Sequence, residues 1–498
     1  MRASGVLMHI SSLPGKYGIG SFGKEAVEFS KLLKEMGFSF WQTLPFGTID
    51  DYNSPYKSFS AFAGNPLFID VETLYKKQLI TEEELKLLEV ENPFVVSYDI
   101  IKENRKEIFK KAFKRISSSY VEKIKKFEEN NKNWLPDYAL YMTIKEKNNG
   151  KDWYDWEDEK LKFHDEKALQ EFSVRYATDL FFEKFIQYEF YSEWEEIKNK
   201  INQNGIRMIG DMPIYLSLES SDVWANRELF NLSKDGSPKL VAGVPPDYFA
   251  EDGQLWGNPL YNWKVMKNDN YKWWVERIEN ALKIFDTVRI DHFRAFSAYW
   301  AVPNGAKTAK AGKWVKGPGM SLFKILLKKF DSSKIIAEDL GDIDDGVRTL
   351  LAKTKLPGMR VMQFGFIGDN DSIHIPHNYD KNVVAYTGTH DNNTLLGFLW
   401  ESSEENRKKI LEYSNFTGSD WGMGGFKSES CRAIIRTLWQ SSANLVIVPV
   451  QGLCGFGEDT KMNSPGNPNG NWSFRITWDA LNGIDREYFK KINEIYRR

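Results

Sequence analysis

The sequence predicts an α/β protein, a single (β/α)8 TIM barrel carrying helical and loop insertions and no C-terminal β-domain. Three observations carry that expectation. Eight short β-rich runs alternate with longer stretches of helical periodicity, at 4–10, 38–44, 206–212, 286–291, 334–338, 359–365, 382–388 and 444–450. Three of those runs deliver a carboxylate at or just past their C-terminal end, where a barrel keeps its chemistry: Asp291, Glu338 and, three residues beyond 382–388, Asp391. After the eighth run the chain is long enough only for loops and a last helix.

In chain order, the first run leads into residues 24–37, where Val27, Leu32, Leu33 and Met36 are expected on one helical face and Gly37 at the cap. The second and third runs are separated by a Lys- and Glu-rich stretch, 71–205. Its helical alternation, as in Thr81–Leu88, predicts a mainly helical insertion with a solvated charged face. The third run is followed by 213–270, rich in Pro, Gly and Trp, which is expected to rise as an active-site loop insertion from the catalytic rim. The division expected is therefore one catalytic barrel over 1–498, interrupted by 71–205 and 213–270. No internal repeat or low-complexity tract is visible.

Composition excludes several classes. At 498 residues and 42% hydrophobic the chain can bury a large core, as an enzyme rather than a small binding module does. Its 67 basic and 69 acidic residues leave a formal charge of -2, without the positive field that nucleic acid requires. Cys431 and Cys454 are too few for a disulfide framework and lack metal-ligand spacing. The N-terminus has no apolar signal core and no run is long enough for a membrane span, so a cytoplasmic location is expected. Aromatic residues make up 14% of the chain, which suits sugar faces as well as cores.

Three acids around one mouth suit glycosidic chemistry. Cleavage with retention needs a carboxylate nucleophile and a protonated carboxylic acid about 5–5.5 Å apart. Asp291 and Glu338 end neighbouring strands, so Asp291 is the expected nucleophile and Glu338 the acid/base. Asp339 points elsewhere by strand alternation. Arg289 shares a strand face with Asp291 and is expected to keep it ionised. Nearby anions, Asp391 among them, together with burial would hold Glu338 protonated. His292 and His390 are candidate donors to sugar hydroxyls, and Asp391 could hold a diol as the ring flattens. A divalent metal on the Asp291-His292 and His390-Asp391 pairs is the rival reading, and the Arg289 charge opposes it. No Gly-rich phosphate loop follows a strand, so no cofactor is expected.

The motifs His9-Ile10-Ser11-Ser12-Leu13-Pro14, Asn53-Ser54-Pro55-Tyr56, Ser58–Pro66, Gly210–Tyr215, Arg289-Ile290-Asp291-His292-Phe293-Arg294, Ala337–Gly341, Gly388–Asn392 and Met462-Asn463-Ser464-Pro465-Gly466 run through almost the whole chain. With the loop Ala242–Pro259, they make the sequence resemble the 4-α-glucanotransferases of the amylomaltase, or disproportionating-enzyme, type. That resemblance implies double displacement with Asp291 as nucleophile, Glu338 as acid/base and Asp391 as transition-state stabiliser. It also implies glucan contacts from Tyr56, Asp247, Tyr248, Phe249, Trp256, Arg289, His292 and His390, with Asn463 a further binding candidate, and a loop over the site around 247–256. The partners expected are maltooligosaccharides and amylose- or glycogen-derived α-glucans. A retaining α-glucan hydrolase of the α-amylase superfamily is the alternative.

Overall fold

The computed structural model describes residues 2–246, 251–367, 372–467 and 469–498. In chain order its strands are β1 (Ala3–Leu7), β2 (Phe40–Gln42), β3 (Arg207–Met212), β4 (Leu240–Val244), β5 (Gln254–Pro259), β6 (Thr287–Ile290), β7 (Ala298–Pro303), β8 (Lys313–Lys316), β9 (Ile335–Ala337), β10 (Gly358–Val361), β11 (Val383–Tyr386) and β12 (Leu445–Pro449). Eight of them, one overlapping each expected run, with β1 and β10 starting one residue ahead of theirs, form a parallel sheet in the order β10-β11-β12-β1-β2-β3-β6-β9. Each strand is shorter than its run, because the ladder stops where the chain turns out into rim loops.

The sheet curls into a barrel whose last seam is made differently. Between β9 and β10 the Ala337 N–H donates to the Pro357 carbonyl at 2.9 Å, and the Met359 N–H donates to the Asp339 carboxylate at 2.6 Å. Asp339 also pairs with Arg360 at 3.2 Å, so this buried acid is occupied in closing the cylinder. Only a glycine fits beside it. A Cβ on Gly358 would lie 2.7 Å from an Asp339 oxygen. Across the interior, the Tyr386 hydroxyl donates to Gln42 at 2.8 Å, joining β11 to β2, which are not neighbours in the sheet.

The helix Lys24–Glu35 forms as expected, with Gly37 at φ +80° behind it. Its buried face differs in one place. Ala26 and Phe29 sit fully in the core beside Leu32, Leu33 and Met36, whereas Val27 is half-buried, since a 3.6-residue period carries it to the edge of the stripe.

Residues 71–203 hold eight helices, from Val71–Lys76 to Ala177–Gln203. The last belongs to the barrel layer. Trp194 on it donates to the Ile284 carbonyl at 2.8 Å and packs with Phe22 and Phe46, ring centroids 4.8 and 4.9 Å away. The expected insertion boundary at 205 therefore ran past the start of a barrel helix. Within 213–270, a sheet stands where a loop was expected. Strands β5-β4-β7-β8 pair antiparallel over the rim, β7 and β8 coming from the connection after β6. After β12 the described residues form only helices and loops.

Candidate active site

Strand register brings the first two acids together. Asp211 on β3 pairs with Arg289 on β6, and Ile290 pairs with Ala337 on β9. One step further along the last pair stand Asp291 and Glu338, on strands that lie about 4.8 Å apart. The ladder continues to that point. Asp291 N–H donates to the Met212 carbonyl and Glu338 N–H to the Ile290 carbonyl, both at 3.0 Å. Immediately after Asp291 the chain turns through His292 in the left-handed region, φ 53° and ψ 49°. That turn aims the His292 N–H at Glu338 Oε2, 2.7 Å away, while the Leu340 N–H holds Oε1 at 2.8 Å. The Glu338 carboxyl is thus fixed from the backbone.

Arg289 and Asp211 organise the rest. Arg289 Nη2 donates to Asp291 Oδ1 at 2.9 Å, and its Nη1 reaches both oxygens of Asp211 at 2.6 and 2.7 Å. Asp211 also accepts from the Tyr56 hydroxyl at 2.6 Å. Since that hydroxyl gives its proton to Asp211, its oxygen accepts from His390 Nε2–H at 2.8 Å. The same ring nitrogen lies 3.3 Å from Asp391 Oδ2, and Asn463 Nδ2 donates to Asp391 Oδ1 at 2.6 Å. Asp391 is thereby steered by two partners at the exposed lip of the site.

Burial dominates the electrostatics. It raises the pKa of Glu338 first, and repulsion from Asp291 adds to it; Arg289 opposes. Asp291 is also pushed up by burial, but Arg289, bonded to it directly, opposes that rise ahead of the smaller repulsions from Asp211 and Asp391. Its side chain is 30% exposed in the cleft while Glu338 is 8% exposed, so Asp291 stays the stronger acid of the pair. The charge of Asp391 is among the influences that raise Asp291. Burial and then Arg294 lower His292 to about 3, so its imidazole is neutral.

An open cleft of about 1190 Å³ contains Asp291, His390, Asp391, Asn463, Tyr56 and Trp256. Trp256 on β5 stands edge-on to His292 with centroids 4.8 Å apart, against Tyr215. Glu338, Arg289 and His292 lie behind or beside this lining through the bonds above. The expected contacts Asp247, Tyr248 and Phe249 lie outside the described residues. Two residues of the arrangement were not among the sequence candidates. Asp211 carries the same strand-end signal as the other acids, whereas Trp472, packed against Tyr56 and His390, carries none. Among the described residues no group of three or more His, Cys, Asp or Glu side chains is placed to hold a metal ion.

Paired carboxyls at the ends of adjacent strands of a (β/α)8 barrel, one ionised more readily than the other, are the arrangement that suits a glycosidic-bond enzyme. The chain belongs to the glycoside hydrolase 77 family of 4-alpha-glucanotransferases, whose profile matches residues 8–481. It is 44% identical over 501 residues to the 4-alpha-glucanotransferase of Aquifex aeolicus, covering 100% of both chains. The 4-alpha-glucanotransferase of Clostridium butyricum is 42% identical over 497 residues, covering 99% of this chain and all of the relative. Among solved structures, the amylomaltase of Streptococcus agalactiae in complex with acarbose matches with a TM-score of 0.95 and 38% identity, covering 100% of both chains. Family and fold together make this an enzyme that acts by transglycosylation.

Proposed function

We propose that the enzyme moves a segment of a 1,4-α-D-glucan to the 4-hydroxyl of glucose or of another 1,4-α-glucan by double displacement. Asp291 is the nucleophile. Its Oδ1 is held by Arg289, and Oδ2, which receives no hydrogen bond among the described residues, is free to attack the anomeric carbon. As that bond forms, Glu338 gives its proton to the departing O4, and an Asp291 glycosyl ester remains. The ester is neutral, so the repulsion that helped keep Glu338 protonated is gone, and Glu338 becomes the base for the second step. It takes the proton of the acceptor 4-hydroxyl as that oxygen attacks the anomeric carbon and displaces the Asp291 carboxylate, restoring both carboxyls.

Asp391, positioned by Asn463 and His390, holds the sugar hydroxyls more tightly as the ring flattens toward an oxocarbenium ion. Tyr56, Arg289, His292 and His390 shape the donor sugar's pocket, Trp256 offers the acceptor a platform that displaces water, and Asp247, Tyr248 and Phe249 are further glucan contacts. Maltooligosaccharides and amylose- or glycogen-derived α-glucans are the substrates, acted on in the cytoplasm by one barrel that spans the chain. No helix among the described residues is long and apolar enough to cross a membrane.

The observation that carries this reading is the adjacency of Asp291 and Glu338 at the ends of β6 and β9. Purified protein fed maltotriose should yield glucose together with longer oligomers, at a constant number of reducing ends. Products that are only shorter than maltotriose, with reducing ends rising, would instead favour a hydrolase.

A further inference from the structure

Trp472 is the one bulky aromatic residue lining the cleft whose backbone, among the described residues, is left-handed, at φ +64°. A tryptophan there carries a conformational cost that persists only where surrounding contacts fix the chain. Those contacts are present on both sides. The Trp472 N–H donates to the Met462 carbonyl at 2.7 Å, and the Trp472 carbonyl accepts from the Tyr98 hydroxyl at 3.1 Å. The following residues run antiparallel to the segment just ahead of the helix Tyr98–Phe113. Val96 N–H donates to the Ser473 carbonyl at 2.7 Å, Val95 bridges Phe474, and Arg475 N–H donates to the Phe94 carbonyl at 2.9 Å. The strained turn is therefore clamped by the beginning of the helical stretch.

The indole is spent on two rings. Tyr56 and His390 lie nearly parallel, 13° apart, and the Tyr56 hydroxyl and His390 Nε2 are already committed to each other, to Asp211 and to Asp391. Hydrogen bonds fix those atoms but leave the rings free to pivot about them. Trp472 lies against both, with centroids 5.7 Å from Tyr56 and 5.9 Å from His390, and it is 7% exposed. Packed against both rings, it restricts their pivoting about those hydrogen bonds.

We propose that Trp472 is a positioning residue for Tyr56 and His390, and that residues 94–98 of the helical stretch serve the reaction by holding Trp472 in its left-handed turn. This rests on the transferase reading above. Its consequence is that a segment outside the barrel strands tunes the chemical step through one indole ring.

The test uses full-length Trp472→Phe, Trp472→Ala and Tyr98→Phe enzymes on maltotriose, with kcat and KM resolved and melting temperature recorded. Trp472→Ala should lower kcat by roughly 10- to 100-fold with a smaller change in KM, the scale of loss that follows misplacement of about 1 Å. Trp472→Phe should recover part of it. Tyr98→Phe, which keeps the buried ring at a position that does not itself line the cleft, should lower kcat by about threefold to tenfold. In a His390→Ala background the Trp472→Phe penalty should shrink to about twofold or less, as expected of residues that act through one another. Variants that melt earlier yet keep the wild-type kcat, or a Trp472 penalty undiminished in the His390→Ala background, would overturn the proposal. If wild-type enzyme builds no longer oligomers, it is the transferase reading that fails, a result separate from any of these.

Discussion

Asp291 and Glu338 are carboxyls of the same kind at the same height on neighbouring strands, and only their partners divide the work between them. Arg289 is bonded to Asp291, while Glu338 has deeper burial and Asp291 itself as a repelling neighbour, which outweigh the two backbone N–H donors that favour its ionised form. Asp291→Asn should lower kcat by about three orders of magnitude or more, as for other displaced covalent nucleophiles, read in an initial-rate assay on maltotriose. Glu338→Gln should be similarly impaired on maltotriose but retain much of its glycosylation rate on an α-glycosyl fluoride, whose leaving group needs no proton; equal losses on both donors would argue against the acid role. The active form has Asp291 ionised and Glu338 protonated. Both carboxyls are raised from their ordinary values of 3.8 and 4.5, so activity should be lost as pH falls through the Asp291 pKa and again as pH rises through the higher one of Glu338. Asp391→Asn removes a charge that raises Asp291, so its residual activity should show an acidic limb displaced to lower pH. An acidic limb that moves upward would contradict that assignment.

Between residues and the whole lie the strands that carry them. Asp211, with no exposed side-chain surface, compensates the buried Arg289 and orients Tyr56 from the end of β3. Asp211→Asn leaves Arg289 with Asp291 as its one remaining carboxylate. It should destabilise the fold by about 3–5 kcal/mol, measured by urea denaturation, and lower kcat besides. On the seam between β9 and β10, Gly358→Ala should cost about 1–3 kcal/mol, because the Asp339 carboxylate that its methyl would strike is pinned by Met359 and Arg360. A shift in denaturation midpoint with an unchanged slope would show this; wild-type stability would mean the seam can yield. Strand ends were legible in the sequence, and so were Asp291, Glu338 and Asp391 upon them. Asp211 lies at the end of the third run, 206–212, and is legible by the same rule, while its partnership with Arg289 and Tyr56 is visible only in the folded chain. The rim sheet was hidden, because β4 and β7 pair only after two separate connections meet.

For the molecule as a whole, the open question in any such site is which nucleophile resolves the glycosyl ester. Trp256 stands on the rim sheet beside His292, half-buried, where an acceptor sugar could displace water. Trp256→Ala should raise the ratio of new reducing ends to transferred glucose by several-fold while leaving the first step less affected, in a product ladder with both quantities followed together. An unchanged ratio would move the acceptor platform elsewhere on the cleft.

Local chemistry alone determined the barrel, its eight strand positions and the three acids at one rim, because strand periodicity and strand-end residues are written within a few neighbouring positions. The partnerships that set those acids to work were decided only by closure of the chain. Tyr56 meets His390 across 334 positions, Arg289 meets Asp211 across 78, and Tyr98 reaches Trp472 across 374. Hydrogen bonds and ring contacts of that span leave no periodic trace in a sequence; they exist once the cylinder brings its strand ends and the loops between them to one mouth.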